Sequence, residues 1–170
     1  MIRKNLMKSF KNINYLIFII FITFSSANSS ENFYLNKIGS FEEPWGSSFI
    51  NDEELIITEK TGKIKIINTK SKIIKEVEHN LNYFVHGQGG LLDVQYHNDH
   101  IWLSYAENRG DWKSSTSVAK AKLNKNKLTF KNIFQSNPPI ASGKHFGSRL
   151  TIQNNFLFVS LGERGRGMIA

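Results

Sequence analysis

Two short glycine-flanked loops carry the side chains with the most chemical reach: Gly87-Gln88-Gly89-Gly90-Leu91-Leu92-Asp93-Val94 and His145-Phe146-Gly147-Ser148-Arg149-Leu150. In each, one polar side chain stands two residues before a glycine that leads into an apolar, strand-like run: Gln88 before Gly90, and His145 before Gly147. One loop position is therefore used twice, once for an amide and once for an imidazole. An imidazole titrates near neutral pH, and a loop held by a rigid strand is a common place for a general base. Gly87, Gly89, Gly90 and Gly147 are read as backbone turns at the strand entrance, not as chemistry.

Other chemistries are excluded by what the chain lacks. There is no cysteine, which removes thiolate nucleophiles, zinc ribbons and iron–sulfur clusters. His79, His86, His97 and His100 show no HExxH or comparable ligand spacing and are read as surface or turn residues, so no metal site is assigned.

The elements that must position Gln88 and His145 repeat every second residue. Glu54–Glu59 and Lys63–Asn68 flank Lys60-Thr61-Gly62, which predicts a hairpin. Four runs follow, Leu91–His97, Ile101–Glu107, Thr116–Leu123 and Leu128–Gln135, joined by turn chemistry at Asn98-Asp99, Arg109-Gly110-Asp111 and Asn124-Lys125-Asn126. They predict one antiparallel meander. After Asn137-Pro138-Pro139 a new sheet is predicted, with Arg149–Gln153, a turn at Asn154-Asn155, and Phe156–Leu161.

A larger unit recurs: glycine, strand, turn, strand. It starts at Gly46, Gly90 and Gly147, at intervals of 44 and 57 residues. Repeats of about 40–50 residues holding four strands mark a β-propeller. A single sandwich would explain the strands but not the recurrence. The fold class expected is thus all-β, a β-propeller with two to three blades in this chain. Propellers close with four or more blades, so residues 28–170 are expected to be the N-terminal part of a longer protein.

Arg3, Lys4, Lys8 and Lys11, an apolar run from Tyr15 to Phe24 and Ser25-Ser26-Ala27 predict a secretory signal peptide over residues 1–27. The apolar run is shorter than the ~20 residues that span a bilayer, which argues against a membrane anchor. Four of the eight net positive charges precede residue 28, leaving 8 − 4 = +4. The remaining lysines alternate with apolar residues and form no basic patch interleaved with aromatics, so no nucleic-acid partner is expected.

The segments that carry the repeat resemble the glucose/sorbosone dehydrogenase family, the soluble pyrroloquinoline quinone (PQQ)-dependent aldose dehydrogenases. The matching stretches are Pro44-Trp45-Gly46 with Thr58-Glu59-Lys60-Thr61-Gly62; Gly87 to Val94; Leu103-Ser104-Tyr105-Ala106; and His145 to Leu150 with Leu161-Gly162-Glu163-Arg164-Gly165. The resemblance implies a six-bladed propeller, an exported and most often periplasmic location, PQQ with calcium, an aldose sugar as substrate and an external electron acceptor. By that resemblance His145 is the catalytic base, and Gln88 and Arg164 contact the cofactor. An ion pair with Glu163 is the alternative for Arg164, and satisfaction of strand-end backbone groups the alternative for Asp93. Trp45, Trp102 and Phe146 are read as core or rim packing rather than a sugar-stacking platform. Where the glucose-oxidising branch has an acidic residue before the histidine, this chain has Lys144, which brings it closer to the general aldose branch. The calcium ligands and the cations for the PQQ carboxylates are expected in later blades. A non-catalytic extracellular propeller and an inactive truncated fragment are the competing readings.

Overall fold

β-Branched and aromatic runs bounded by Asn, Asp and Gly fold into eleven strands in a computed structural model that describes residues 33–167. The predicted signal peptide lies outside the described residues, and residues 33–36 carry no regular structure. Among the described residues there is no helix long and apolar enough to cross a membrane.

From Lys37 onward the strands form successive antiparallel sheets. The first blade runs β1 (Pro44–Phe49), β2 (Glu54–Glu59), β3 (Lys63–Asn68) and β4 (Ile74–His79), each hydrogen-bonded to the next. The second holds β5 (Leu91–His97), β6 (His100–Asn108) and β7 (Ser114–Lys122), then passes over β8 (Lys127–Leu128) to β9 (Lys131–Gln135). β10 (Gly147–Gln153) and β11 (Phe156–Leu161) begin a third. The fold is that of a β-propeller: two four-stranded blades and two strands of another.

The inner strands β1, β5 and β10 are locked side by side. At Gly46 a Cβ would lie 2.8 Å from the Asp93 Cα, so only glycine lets β1 approach β5 this closely. Thr58 donates its hydroxyl to the Leu92 carbonyl, and Ser104 donates to the Ser148 carbonyl at 2.7 Å. Asp93, 2% exposed, accepts from the Leu150 N–H at 2.8 Å and from Arg149 Nη1 at 3.0 Å. The aspartate thus satisfies backbone as expected, but on the next blade rather than at its own strand end. Between the first two blades Ile56, Ile64, Ile66 and Val77 pack with Val94, Ile101, Leu103 and Tyr105. Full burial of such side chains contributes about 1.5–3 kcal/mol each before entropy is counted.

Two sequence expectations need correction. Leu128–Gln135 is not one strand. Asn80 clasps Phe130 through its backbone, accepting from the N–H at 2.7 Å and donating to the carbonyl at 3.2 Å. That clasp holds Leu128 and Phe130 in the core, and β8 pairs in parallel with β4 of the first blade. The second blade is therefore interrupted by a strap and is not a continuous meander. In addition, β4 was not anticipated. Its Lys75, Glu76 and Glu78 are exposed and only Val77 is buried, so the strand lacks the alternation that marks a half-buried one.

Candidate active site

Gln88 and His145 come together because two loop backbones touch. At Gly87 a Cβ would fall 2.5 Å from the Gly143 carbonyl oxygen, and Gly87 has φ +57°. Both facts require glycine there. The contact lets the Gln88 N–H donate to the Gly143 carbonyl at 2.7 Å. The Gln88 side-chain oxygen then accepts from the His145 N–H at 2.7 Å. Gln88 Oε1 is committed to holding the histidine loop, which leaves its NH2 group as the free end among the described residues.

His145 itself adopts φ +49°, a left-handed conformation sparsely populated by non-glycine residues. Gly162 pins it: a Cβ at Gly162 would stand 2.0 Å from the His145 carbonyl oxygen. The Gly162 N–H donates to the Phe146 carbonyl at 3.2 Å, and the Arg164 N–H to the His145 carbonyl at 3.3 Å. The imidazole is half exposed, with its Nδ1 hydrogen-bonded to the Glu163 carboxylate. That bond, helped by the Gly167 N–H, holds the Glu163 carboxyl at about 2, well below its usual value. A carboxylate acceptor fixes the tautomer with the proton on Nδ1 and leaves Nε2 with its lone pair outward. An imidazole so oriented is equipped to take a proton from a hydroxyl.

Glu163 is the residue that sequence reasoning treated only as a partner for Arg164. A signal for it was present: Glu59 ends β2, Glu107 is the next-to-last residue of β6, and Glu163 stands two residues past β11. In the first two blades this glutamate is buried and used internally. Glu59 binds Lys65 at 2.8 Å, and Glu107 accepts from Ser117, Asn132 and Gln135. Only in the third does it reach a histidine.

Arg164 does not take the ion-pair alternative. It is 6% exposed and makes no ion pair with Glu163, whose Oε1 is taken by His145. Its Nε donates to the Lys144 carbonyl at 3.0 Å, its Nη1 to the Ser114 carbonyl at 3.0 Å, and its Nη2 to Ser114 Oγ and the Ser142 carbonyl. The guanidinium also lies 3.7 Å over the Phe146 ring. Burial pulls its pKa down. Four of its five N–H groups are spent on protein, so the Arg164 side chain is a brace beneath the loop, not an open cation on the rim. Three polar side chains were expected to converge; the structure brings together Gln88, His145 and Glu163.

Several other aromatic and imidazole side chains have partners within the fold. Phe146 is buried beneath Arg164, the Trp102 ring carries Lys120 Nζ at 4.4 Å, and Trp45 is partly exposed on β1. His79 bonds the Gly62 carbonyl at 2.8 Å and His100 the Asn98 carbonyl at 2.6 Å, both at turns.

Known proteins resemble most of the chain. The family model described as glucose/sorbosone dehydrogenase matches residues 41–170. The aldose sugar dehydrogenase YliI of Escherichia coli K12 is 33% identical over 135 residues, covering 74% of this chain and 36% of that protein. The chain therefore spans roughly a third of the length of that relative. The apo crystal structure of the soluble aldose sugar dehydrogenase from Escherichia coli superposes with a TM-score of 0.69 at 32% identity, covering 74% of this chain and 39% of that one. The PQQ-bound aldose sugar dehydrogenase of Streptomyces coelicolor shares the fold at a TM-score of 0.67 and 16% identity, over 77% of this chain and 41% of that one. With the family match running from before β1 through the Glu163 loop, this chain belongs to the glucose/sorbosone dehydrogenase family.

Proposed function

We propose that the protein is an exported, PQQ-dependent oxidoreductase that oxidises aldose sugars at the anomeric carbon, with His145 as general base. One observation carries this reading: the Glu163 carboxylate holds His145 Nδ1 while Gln88 holds the His145 backbone. Removing hydride from a neutral hemiacetal builds positive charge on it unless the O–H proton leaves as well. His145 Nε2 takes that proton, and Glu163 stabilises the imidazolium that results. PQQ, when bound, supplies the electron sink for the hydride that no side chain here can supply.

The residues present fit part of such a cofactor. The Gln88 NH2 group is a donor for a carbonyl or carboxylate oxygen, and its side-chain oxygen holds the His145 backbone N–H. Arg164 has one N–H left and is buried, so Gln88 is the cofactor contact in this chain and Arg164 supports the loop. Calcium accompanies PQQ in this reading; among the described residues no three His, Asp or Glu side chains cluster to hold a metal. An external acceptor then reoxidises the cofactor, and the leader over residues 1–27 directs the protein to the periplasm.

The test is dye reduction by the full-length protein reconstituted with PQQ and calcium, across a panel of aldoses. Activity that disappears in His145→Ala supports the base; activity that survives it removes the assignment. Absence of both PQQ uptake and activity favours a non-catalytic propeller that binds carbohydrate or protein.

A further inference from the structure

A cavity of about 230 Å³ lies between the second and third blades, lined on one side by His97, His100, Trp102 and Lys120 and on the other by Ile152 and Leu157. β5 and β10 both run away from the loops of Gln88 and His145, and the cavity sits at their far ends, beside the Asn98-Asp99 turn. The seven residues of β5 rise about 20 Å, so this is a place apart from the candidate active site.

Its polar groups are donors and bases, without an acid among them. Lys120 is half-buried and makes no ion pair among the described residues; its ammonium rests on the Trp102 ring at 4.4 Å. The Trp102 indole N–H is buried and has no acceptor among the described residues. His97 and His100 are paired across the β5–β6 hairpin. No Asp or Glu lines the cavity, and Asp99 beside it is paired with Lys122 at 3.8 Å. A half-buried cation without a counter-charge and a buried N–H without an acceptor both cost stability, and an anion with oxygen acceptors relieves both. His100 narrows the chemistry further. Its Nδ1 bonds the Asn98 carbonyl at 2.6 Å, which places the proton on Nδ1 and leaves Nε2 as an acceptor for a hydroxyl. The indole, Ile152 and Leu157 make the remaining wall apolar, which suits an organic ring better than a hydrated inorganic ion. Pockets for drug-sized ligands run to about 300–1,000 Å³, so the space here matches a molecule with one ring.

We propose that this cavity is a binding site for a small aromatic carboxylate of the hydroxybenzoate class. The ligand carboxylate lies at Lys120 and the Trp102 N–H, its ring against Ile152 and Leu157, and its hydroxyl at His100 Nε2. A small turn of Lys120 off the indole face brings the ammonium and the indole N–H to the same carboxylate. The site stands independently of the aldose-oxidising reading, because none of its residues touches Gln88, His145 or Glu163.

The experiment is a calorimetric titration of the full-length protein with 4-hydroxybenzoate, with 4-hydroxybenzamide as the uncharged isostere. The expected result is saturable binding of the carboxylate, at least about 10-fold tighter than of the amide. Lys120→Met should weaken it by about 10-fold or more, and Trp102→Phe by about 3- to 10-fold, with Tm followed for both variants. In protein carrying isotope-labelled histidine, the ligand should shift the His97 and His100 signals and leave His145 unmoved. Absence of saturable binding, equal affinity for the amide, unchanged affinity in Lys120→Met, or a shift at His145 alone overturns the site. Where Trp102→Phe does not fold, Lys120→Met and the histidine signals decide.

Discussion

Glu163 and His145 are 18 residues apart in sequence, on opposite sides of the β10–β11 hairpin, and their side chains meet in a hydrogen bond between Oε1 and Nδ1. The bond exists because β11 runs antiparallel to β10 and returns the chain to the end where it began. Gly147 pairs with Leu161 across the hairpin, so the residues just outside that pair fall beside each other. A carboxylate behind an imidazole is a positioning device, and the sequence repeat supplies it from a site that serves the core in the other two blades.

Glu163→Gln keeps the size of the side chain and removes its charge. We expect kcat of the loaded full-length protein to fall by about 10- to 100-fold, with KM little changed and the acid limb of the pH profile displaced. A loss confined to stability, with a wild-type pH profile, would make Glu163 structural only.

The carboxyl of Glu163 should titrate near 2 by NMR, and in His145→Ala it should move back toward its usual value of 4.5. The sign follows from a depressed folded-state value: the contribution of the pair is present above pH 4.5 and is lost as pH falls toward 2. Titration near 4.5 in the wild type would show that the pair does not form in solution.

Arg164→Lys tests the brace. A lysine cannot reproduce bonds to Lys144, Ser114 and Ser142 from a planar fork, nor lie flat on Phe146. We expect a loss of about 2–3 kcal/mol, read as a lower Tm. An unchanged Tm with weaker PQQ binding would return Arg164 to the cofactor.

Two glycine substitutions separate contact from backbone strain. Gly162→Ala drives a methyl into the His145 carbonyl and should cost about 3 kcal/mol or more while broadening the His145 resonances. Gly110→Ala meets nothing within 4 Å and bears only the strain of φ +74°, about 1–2 kcal/mol, with His145 unmoved. Equal effects on His145 would mean that the Gly162 contact does not position the loop.

Tyr105 reports on the core of the second blade. Burial, with Glu107 nearby, pushes its phenol up to about 12, and the phenol donates a hydrogen bond to Asn132 at 2.7 Å. An unfolded chain releases this proton near 10. Stability is therefore full below pH 10 and declines as pH rises from 10 to 12. Tyrosinate absorbance followed alongside unfolding checks this, and Tyr105→Phe should flatten the decline.

Much of this protein was legible from period-two patterning. β2, β3, β5 and β11 begin and end where alternation and turn residues place them, because their apolar faces enter a core and their ends are Asn, Asp or Gly. The Gly-strand-turn-strand recurrence gave the propeller, and loop position paired Gln88 with His145. Spacing alone could not say that β4 forms, since a strand with one fully buried residue, Val77, owes its order to the strands beside it. Nor could it show β8 crossing to the first blade, where backbone pairing with β4, burial of Leu128 and the Asn80 clasp on Phe130, 50 residues away, hold it. Arg164 and Glu163 make the division clearest. Adjacent in sequence and opposite in charge, they read as a pair. Left-handed φ values of 56° at Arg164 and 76° at Gly165 turn the chain there, and the two side chains part. The arginine goes inward to four backbone and hydroxyl acceptors, and the glutamate goes out to His145. Sequence determined which groups were available and on which loops. Tertiary structure decided which of them found partners inside the protein and which stayed exposed, because a buried donor must be satisfied within the fold and an exposed one can be satisfied by water.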